Sequence, residues 1–200
     1  VADSLNKRFD THFEGKNIVM TVGAAGGLNV ILKALINPGD EVIAFAPYFG
    51  EYRSYTNNYD GVLVEISPNT VDFQPKLDEF EQKITPKTKA VIVNNPNNPT
   101  GVVYSEETIK KLAAIMEAKQ KEFGTDIVLT KYYDNTVVGY SYSKSLSLPG
   151  ERIGYLVIPD ELKDSEEVLS AANVATRILG FVNAPTLQQK VVEKCLNEKT

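Results

Sequence analysis

One lysine stands out by the company it keeps. Lys144 lies in Ser141-Tyr142-Ser143-Lys144-Ser145, and Arg152 follows eight residues later. The apolar run just before it, Thr136 to Tyr140, predicts a buried strand, so the lysine falls where a strand ends. An amine in such a place can form a Schiff base with an aldehyde, and serine and arginine can hold a phosphate through charge-assisted hydrogen bonds. Pyridoxal phosphate (PLP) carries both groups, so one short segment offers a partner for each of its ends. Taken alone, S-x-S-K reads more readily as a surface lysine in a turn. The other strand ends decide the matter.

Three of them carry unusual residues. Ile18 to Val22 runs into Gly23-Ala24-Ala25-Gly26-Gly27 at the start of a helical pattern. Small residues there let backbone N–H groups approach a phosphate, and a helix N-terminus favours its charge. A tight strand-to-helix turn would need the same residues, and neither GxGxxG nor a Walker loop is present. Glu41 to Ala46 runs into Pro47-Tyr48-Phe49-Gly50-Glu51-Tyr52, which could stack an aromatic ring on a flat ligand or simply cover a core edge. Ala90 to Val93 runs into Asn94-Asn95-Pro96-Asn97-Asn98-Pro99-Thr100-Gly101. Asn-Pro pairs are turn chemistry, yet so many amides would be a costly way to make a turn, and an amide donor suits a phenolate oxygen.

These residues need a frame. Strand patterns cover Ile18 to Val22, Glu41 to Ala46, Val62 to Ile66, Ala90 to Asn94, Asp126 to Leu129, Thr136 to Tyr142 and Ile153 to Ile158. Helical patterns cover Ala25 to Leu35, Lys76 to Lys83, Glu106 to Lys121, Glu166 to Ile178 and Thr186 to Leu196. An opening helix, marked by Leu5, Phe9 and Phe13, is expected to end at Gly15. The alternation predicts an α/β fold with a mostly parallel sheet sandwiched by helices, where ligands gather beyond the carboxyl ends of the strands.

The bulk numbers narrow the field. The chain has 200 residues, 42% of them hydrophobic, which suits one sizeable domain. A net charge of -5 argues against a nucleic-acid groove, and no apolar run reaches membrane-spanning length. A single cysteine, Cys195, excludes an internal disulfide and fits a reducing, cytoplasmic compartment; it is expected to be a small buried hydrophobe. The one histidine, His12, leaves no His-based metal cluster and is expected to be a solvated helix-end residue. The chain starts at Val1 without a secretory signal or an initiator methionine, and its last helix lacks a clear cap. A piece of a longer protein is expected.

The combination N-x-P-x-N-P-T-G with S-x-S-K-x7-R resembles the large, cofactor-binding domain of the class I/II (fold type I) PLP-dependent aminotransferases, aspartate-aminotransferase-like, over nearly all of residues 1–200. The resemblance implies PLP as cofactor, amino-acid and 2-oxo-acid substrates, and a homodimer. By position, Lys144 matches the Schiff-base lysine that also moves the substrate proton. Ser141 and Arg152 match the phosphate ligands, joined by the turn at Gly23, Ala24 and Ala25. Phe49 matches the aromatic stacked on the pyridine face, and Asn98 the amide bonded to the phenolic oxygen. Gly180-Phe181-Val182-Asn183-Ala184-Pro185 resembles the family's interface loop near the partner's phosphate site.

The pattern breaks in one place. The family sets Asp-x-x-Tyr after the fifth strand, the Asp pairing with the pyridinium nitrogen, whereas here Asp126 to Leu129 passes into Thr130-Lys131-Tyr132-Tyr133-Asp134-Asn135 and the next strand. Asp134, ahead of the lysine-bearing strand, is expected far from the ring. A parallel crossover takes about a dozen residues. Either residues are missing near 129–131, which is the expectation, or a deletion has altered the local topology; the family's small domain and its substrate-binding arginine are expected to be missing as well. Beside the aminotransferase reading stand a non-catalytic PLP-binding or structural fragment and a related fold-type-I lyase or decarboxylase. A nicotinamide-binding domain ranks lower for want of a dinucleotide fingerprint.

Overall fold

The computed structural model describes residues 1–124 and 133–197. In chain order the helices are α1 (Ala2–Phe9), α2 (Gly23–Leu35), α3 (Glu51–Asn57), α4 (Leu77–Lys83), α5 (Glu106–Phe123), α6 (Tyr142–Ser145), α7 (Ser165–Ile178) and α8 (Thr186–Asn197). The strands are β1 (Ile18–Thr21), β2 (Glu41–Phe45), β3 (Val62–Ile66), β4 (Thr88–Ile92), β5 (Val138–Ser141) and β6 (Gly154–Val157). They divide between two compact units, one made of Val1–Ala34 and Val137–Thr200, the other of Leu35–Thr136.

The Leu35–Thr136 unit has the expected parallel sheet. Its strand order is β3-β2-β4, and β2 runs parallel to both neighbours. Ile43, Phe45 and Val91 from the strands meet Phe80 of α4 and the buried stripe Ile109, Leu112, Ala113 and Met116 of α5. That stripe recurs at helical spacing, which is why α5 docks along one face. Its start is fixed by Ser105, whose hydroxyl accepts from Thr108 N at 3.0 Å, and its end by Gly124 in the left-handed conformation. Phe80 is fully buried, with its ring 5.3 Å from that of Phe45.

The other unit is built around the order β1-β6-β5, with β6 antiparallel to both neighbours, so β1 and β5 run the same way. All four residues of β6 are buried, as expected of a central strand. By contrast β5 is an outer strand of the three and only half-buried, not the buried strand its apolar run implied. Tyr142 and Tyr155 pack with Leu5, Phe13 and Val192 in this unit's core. Burial pushes the Tyr155 phenol up to about 12 and raises Tyr142 further in the same direction.

Several boundaries differ from the sequence expectation. The first helix stops at Phe9, not near Gly15, because the Asn6 amide captures the returning chain: it donates to Phe13 O and accepts from Phe13 N, both at 2.8 Å. Leu5 and Phe13 still share a core, while Phe9 is exposed. His12 is solvent-exposed beyond the helix end. Cys195 lies on α8 as expected, but its thiol side is exposed, not buried. The strand expected at Asp126 to Leu129, and the break near 129–131, lie outside the described residues.

Candidate active site

The antiparallel course of β6 brings separate motifs to one edge. Thr21, the last residue of β1, and Ser141, the last of β5, are both paired with Gly154, the first of β6. Past Thr21 the chain enters α2, past Ser141 it enters α6 with Lys144, and just ahead of Gly154 stands Arg152. Arg152 precedes its strand in sequence yet shares an edge with residues that follow theirs.

Gly23 opens α2 at a φ of 72°, which glycine adopts without steric cost. The Arg152 guanidinium lies over it: a methyl group at Gly23 would come within 2.7 Å of Nη2 and 3.1 Å of Cζ. Arg152 Nη1 donates to Pro149 O at 2.7 Å, and Arg152 itself takes a φ of 50°. Thr21 Oγ1 donates to Gly23 O at 2.9 Å and steadies the turn. The first N–H groups of a helix have no partner within it, so a guanidinium beside them makes a donor set for an anion.

Ser141 caps α6. Its Oγ accepts from Ser143 N at 3.2 Å and donates to Ser143 Oγ at 2.8 Å. To donate to an anion, that hydroxyl must turn from Ser143, leaving its capping bond in place. The S-x-S spacing signals this cap, which gives Ser143 a part beside Ser141. Lys144 is exposed in α6, and its amine has no hydrogen-bond or ion-pair partner among the described residues.

The remaining two candidates belong to the other unit. Phe49 follows β2, half-buried, its ring 5.8 Å from that of Tyr52 in an edge-on contact. Burial pushes the Tyr52 phenol up to about 12. Asn98 follows β4 in a loop whose other amides are engaged internally. Asn94 Oδ1 accepts from Asn98 N at 2.8 Å, and Asn95 Oδ1 accepts from Tyr104 N at 2.9 Å. Buried Asn97 accepts from Thr100 N at 3.2 Å and Thr100 Oγ1 at 2.8 Å. The Asn98 side chain is exposed and bonds to no described residue. Asp134 is exposed ahead of β5.

With this geometry in hand, the chain can be set beside known proteins. The family "Aminotransferase class I and II" matches residues 1–200, and the chain belongs to it. Its relatives include the probable aspartate/prephenate aminotransferase of Aquifex aeolicus, 33% identical over 183 residues that are 80% of this chain and 45% of that protein. A probable aspartate aminotransferase of Methanocaldococcus jannaschii is 32% identical over 85% of this chain and 48% of that one. Among solved structures, an aminotransferase from Eubacterium rectale superposes with a TM-score of 0.95 at 46% identity, over 99% of this chain and 55% of its own. The chain thus spans about half the length of the curated relatives it matches.

Enzymes of this family depend on PLP. The residues present fit the phosphate end of that cofactor, since a guanidinium, a serine hydroxyl and a helix N-terminus share one edge over a glycine where any side chain would displace the guanidinium. Among the described residues, no helix is long and apolar enough to cross a membrane.

Proposed function

We propose that this chain is the PLP-binding part of an aminotransferase that moves an amino group between an amino acid and a 2-oxo acid. The seating of Arg152 over the Gly23 turn, on the edge that also carries Ser141 and Lys144, is the observation that carries this reading. Arg152, Ser141 and the N–H groups at Ala24 and Ala25 hold the phosphate. Lys144 would condense with the aldehyde of the cofactor with loss of water, and its free amine would take and return a proton at the substrate α-carbon as general base and acid. Bound there, PLP supplies the aldehyde and an electron-accepting ring. The family resemblance gives Phe49 the role of stacking on the ring and Asn98 that of donating to its phenolate oxygen.

Matched relatives carry different names, among them aspartate and histidinol-phosphate aminotransferases, so the substrates are proposed as classes. A homodimer belongs to the same reading, supported by the 180–185 loop, where Phe181 and Val182 remain partly exposed while their N–H groups donate to Thr176 O. An exposed thiol at Cys195 supports a reducing, cytoplasmic setting.

The test is transfer itself. The whole protein that contains this chain, given PLP, an amino acid and a 2-oxo acid, should yield the exchanged pair, and its Lys144→Ala variant should yield none. A second reading, binding without transfer, is favoured by the lack of Asp-x-x-Tyr between Asp126 and Tyr140. PLP uptake with no exchanged product would establish it.

A further inference from the structure

Resting on the proposed phosphate site, we infer that Gly154 is a positioning residue: facing Gly23 without a side chain, it sets the Arg152 guanidinium at the amino end of α2. Gly154 is buried and paired on one side with Thr21 and on the other with Ser141. A methyl group at Gly154 would collide with the Tyr140 carbonyl oxygen, and would come within 3.0 Å of the Gly23 carbonyl carbon and 3.2 Å of Gly23 Cα. All of these are backbone atoms, so no rotamer change gives relief. Either β5 parts from β6 or the turn into α2 moves away.

That turn is what the guanidinium rests on. Two residues before Gly154, Arg152 holds a left-handed φ of 50°, uncommon for a residue with a side chain, and among the described residues its fork is anchored by Pro149 O. The Gly23 backbone forms the other side of its seat. Displacing Gly23 from β6 therefore separates the arginine from the helix N–H groups with which it shares an anion. The other glycine in the strands of this sheet does not have this role. Gly139 in β5 would put a methyl no nearer than 3.7 Å to Leu156 Cδ2, an ordinary contact.

The measurement is the affinity of the chain for PLP and for pyridoxal, which lacks the phosphate, in the unaltered chain and in Gly154→Ala, Arg152→Ala, their combination and the Gly139→Ala control. Arg152→Ala should weaken PLP by about 10- to 150-fold, the loss of a charged hydrogen bond. Gly154→Ala should weaken PLP by about tenfold or more with pyridoxal nearly unchanged, and the double variant should bind no worse than Arg152→Ala alone, because coupled residues fail to add. Gly139→Ala should change neither affinity.

Equal loss of PLP and pyridoxal in Gly154→Ala, or no loss while Arg152→Ala weakens PLP, overturns the role of Gly154. If instead Arg152→Ala leaves PLP affinity unchanged, the phosphate site itself is wrong and the inference falls with it. Should Gly154→Ala not fold, Gly23→Ala tests the same seat, since its methyl meets the guanidinium. Selective loss of PLP then supports the inference, and unchanged PLP affinity overturns it.

Discussion

The strand-end loops of the two units use similar polar residues in opposite ways. After β4, the amides of Asn94, Asn95 and Asn97 bond to their own loop, which leaves the Asn98 side chain without a partner among the described residues. At the β1-β6-β5 edge the Lys144 amine has no hydrogen-bond or ion-pair partner among the described residues, and the Arg152 guanidinium rests on a glycine and donates to Pro149 O. The backbone differs as well, since the second edge holds Arg152 at a positive φ. Polar density at a strand end thus says little about chemistry. Groups left without an internal partner, on backbone held in a disfavoured conformation, say much more.

This contrast predicts that stability and ligand binding separate by region. The largest stability effect should come from Phe80→Ala, whose ring is fully buried in the Leu35–Thr136 core. A loss of about 3–5 kcal/mol in denaturant unfolding is expected. Arg152→Ala should do the reverse, costing about 1.5–3 kcal/mol of PLP binding, with unfolding shifted by no more than about 0.5 kcal/mol because the side chain is exposed. Neighbouring asparagines should split the same way. Asn97→Ala should lower stability by about 1–3 kcal/mol through its stranded Thr100 donors. Asn98→Ala should leave stability nearly unchanged and weaken PLP by about 0.5–1.5 kcal/mol; equal stability losses in both would erase the distinction.

The smallest effect concerns acid. Lys83 beside Glu79, with the Ser67 N–H, holds that carboxyl down to about 2. A lowered carboxyl stabilises the fold above its unfolded value near ~4.3, and the contribution fades as pH falls toward the folded value. The pair lies at the surface, so it is worth about 1 kcal/mol or less. Glu79→Gln should therefore be slightly less stable than the unaltered chain at neutral pH, with the two curves converging near pH 2. A constant gap across that range would contradict the assignment.

Much of this was legible in the residues, and the misses have physical causes. The Gly-Ala-Ala-Gly-Gly turn, the lysine segment and most helices followed from period and spacing, because each is a local pattern. What placed Arg152 with Lys144 was not local: β6 had to run antiparallel, and periodicity carries no strand direction. Helix α6 escaped because four residues are too few to show a period, and α3 because its opening Glu51-Tyr52 belongs to an aromatic run that reads equally well as a ligand-stacking loop. The end of α1 was set by the Asn6 amide, which overrode an apolar repeat reaching Phe13. In the asparagine loop the run of amides reads as too many for a turn, yet three of them build it.

The most direct test of the account is covalent. Reducing the PLP-treated chain with borohydride and mapping peptides by mass should find a pyridoxyl group on Lys144, and none anywhere in the Lys144→Ala variant. Attachment to another lysine with Lys144 unmodified, or no attachment at saturating PLP, would contradict it.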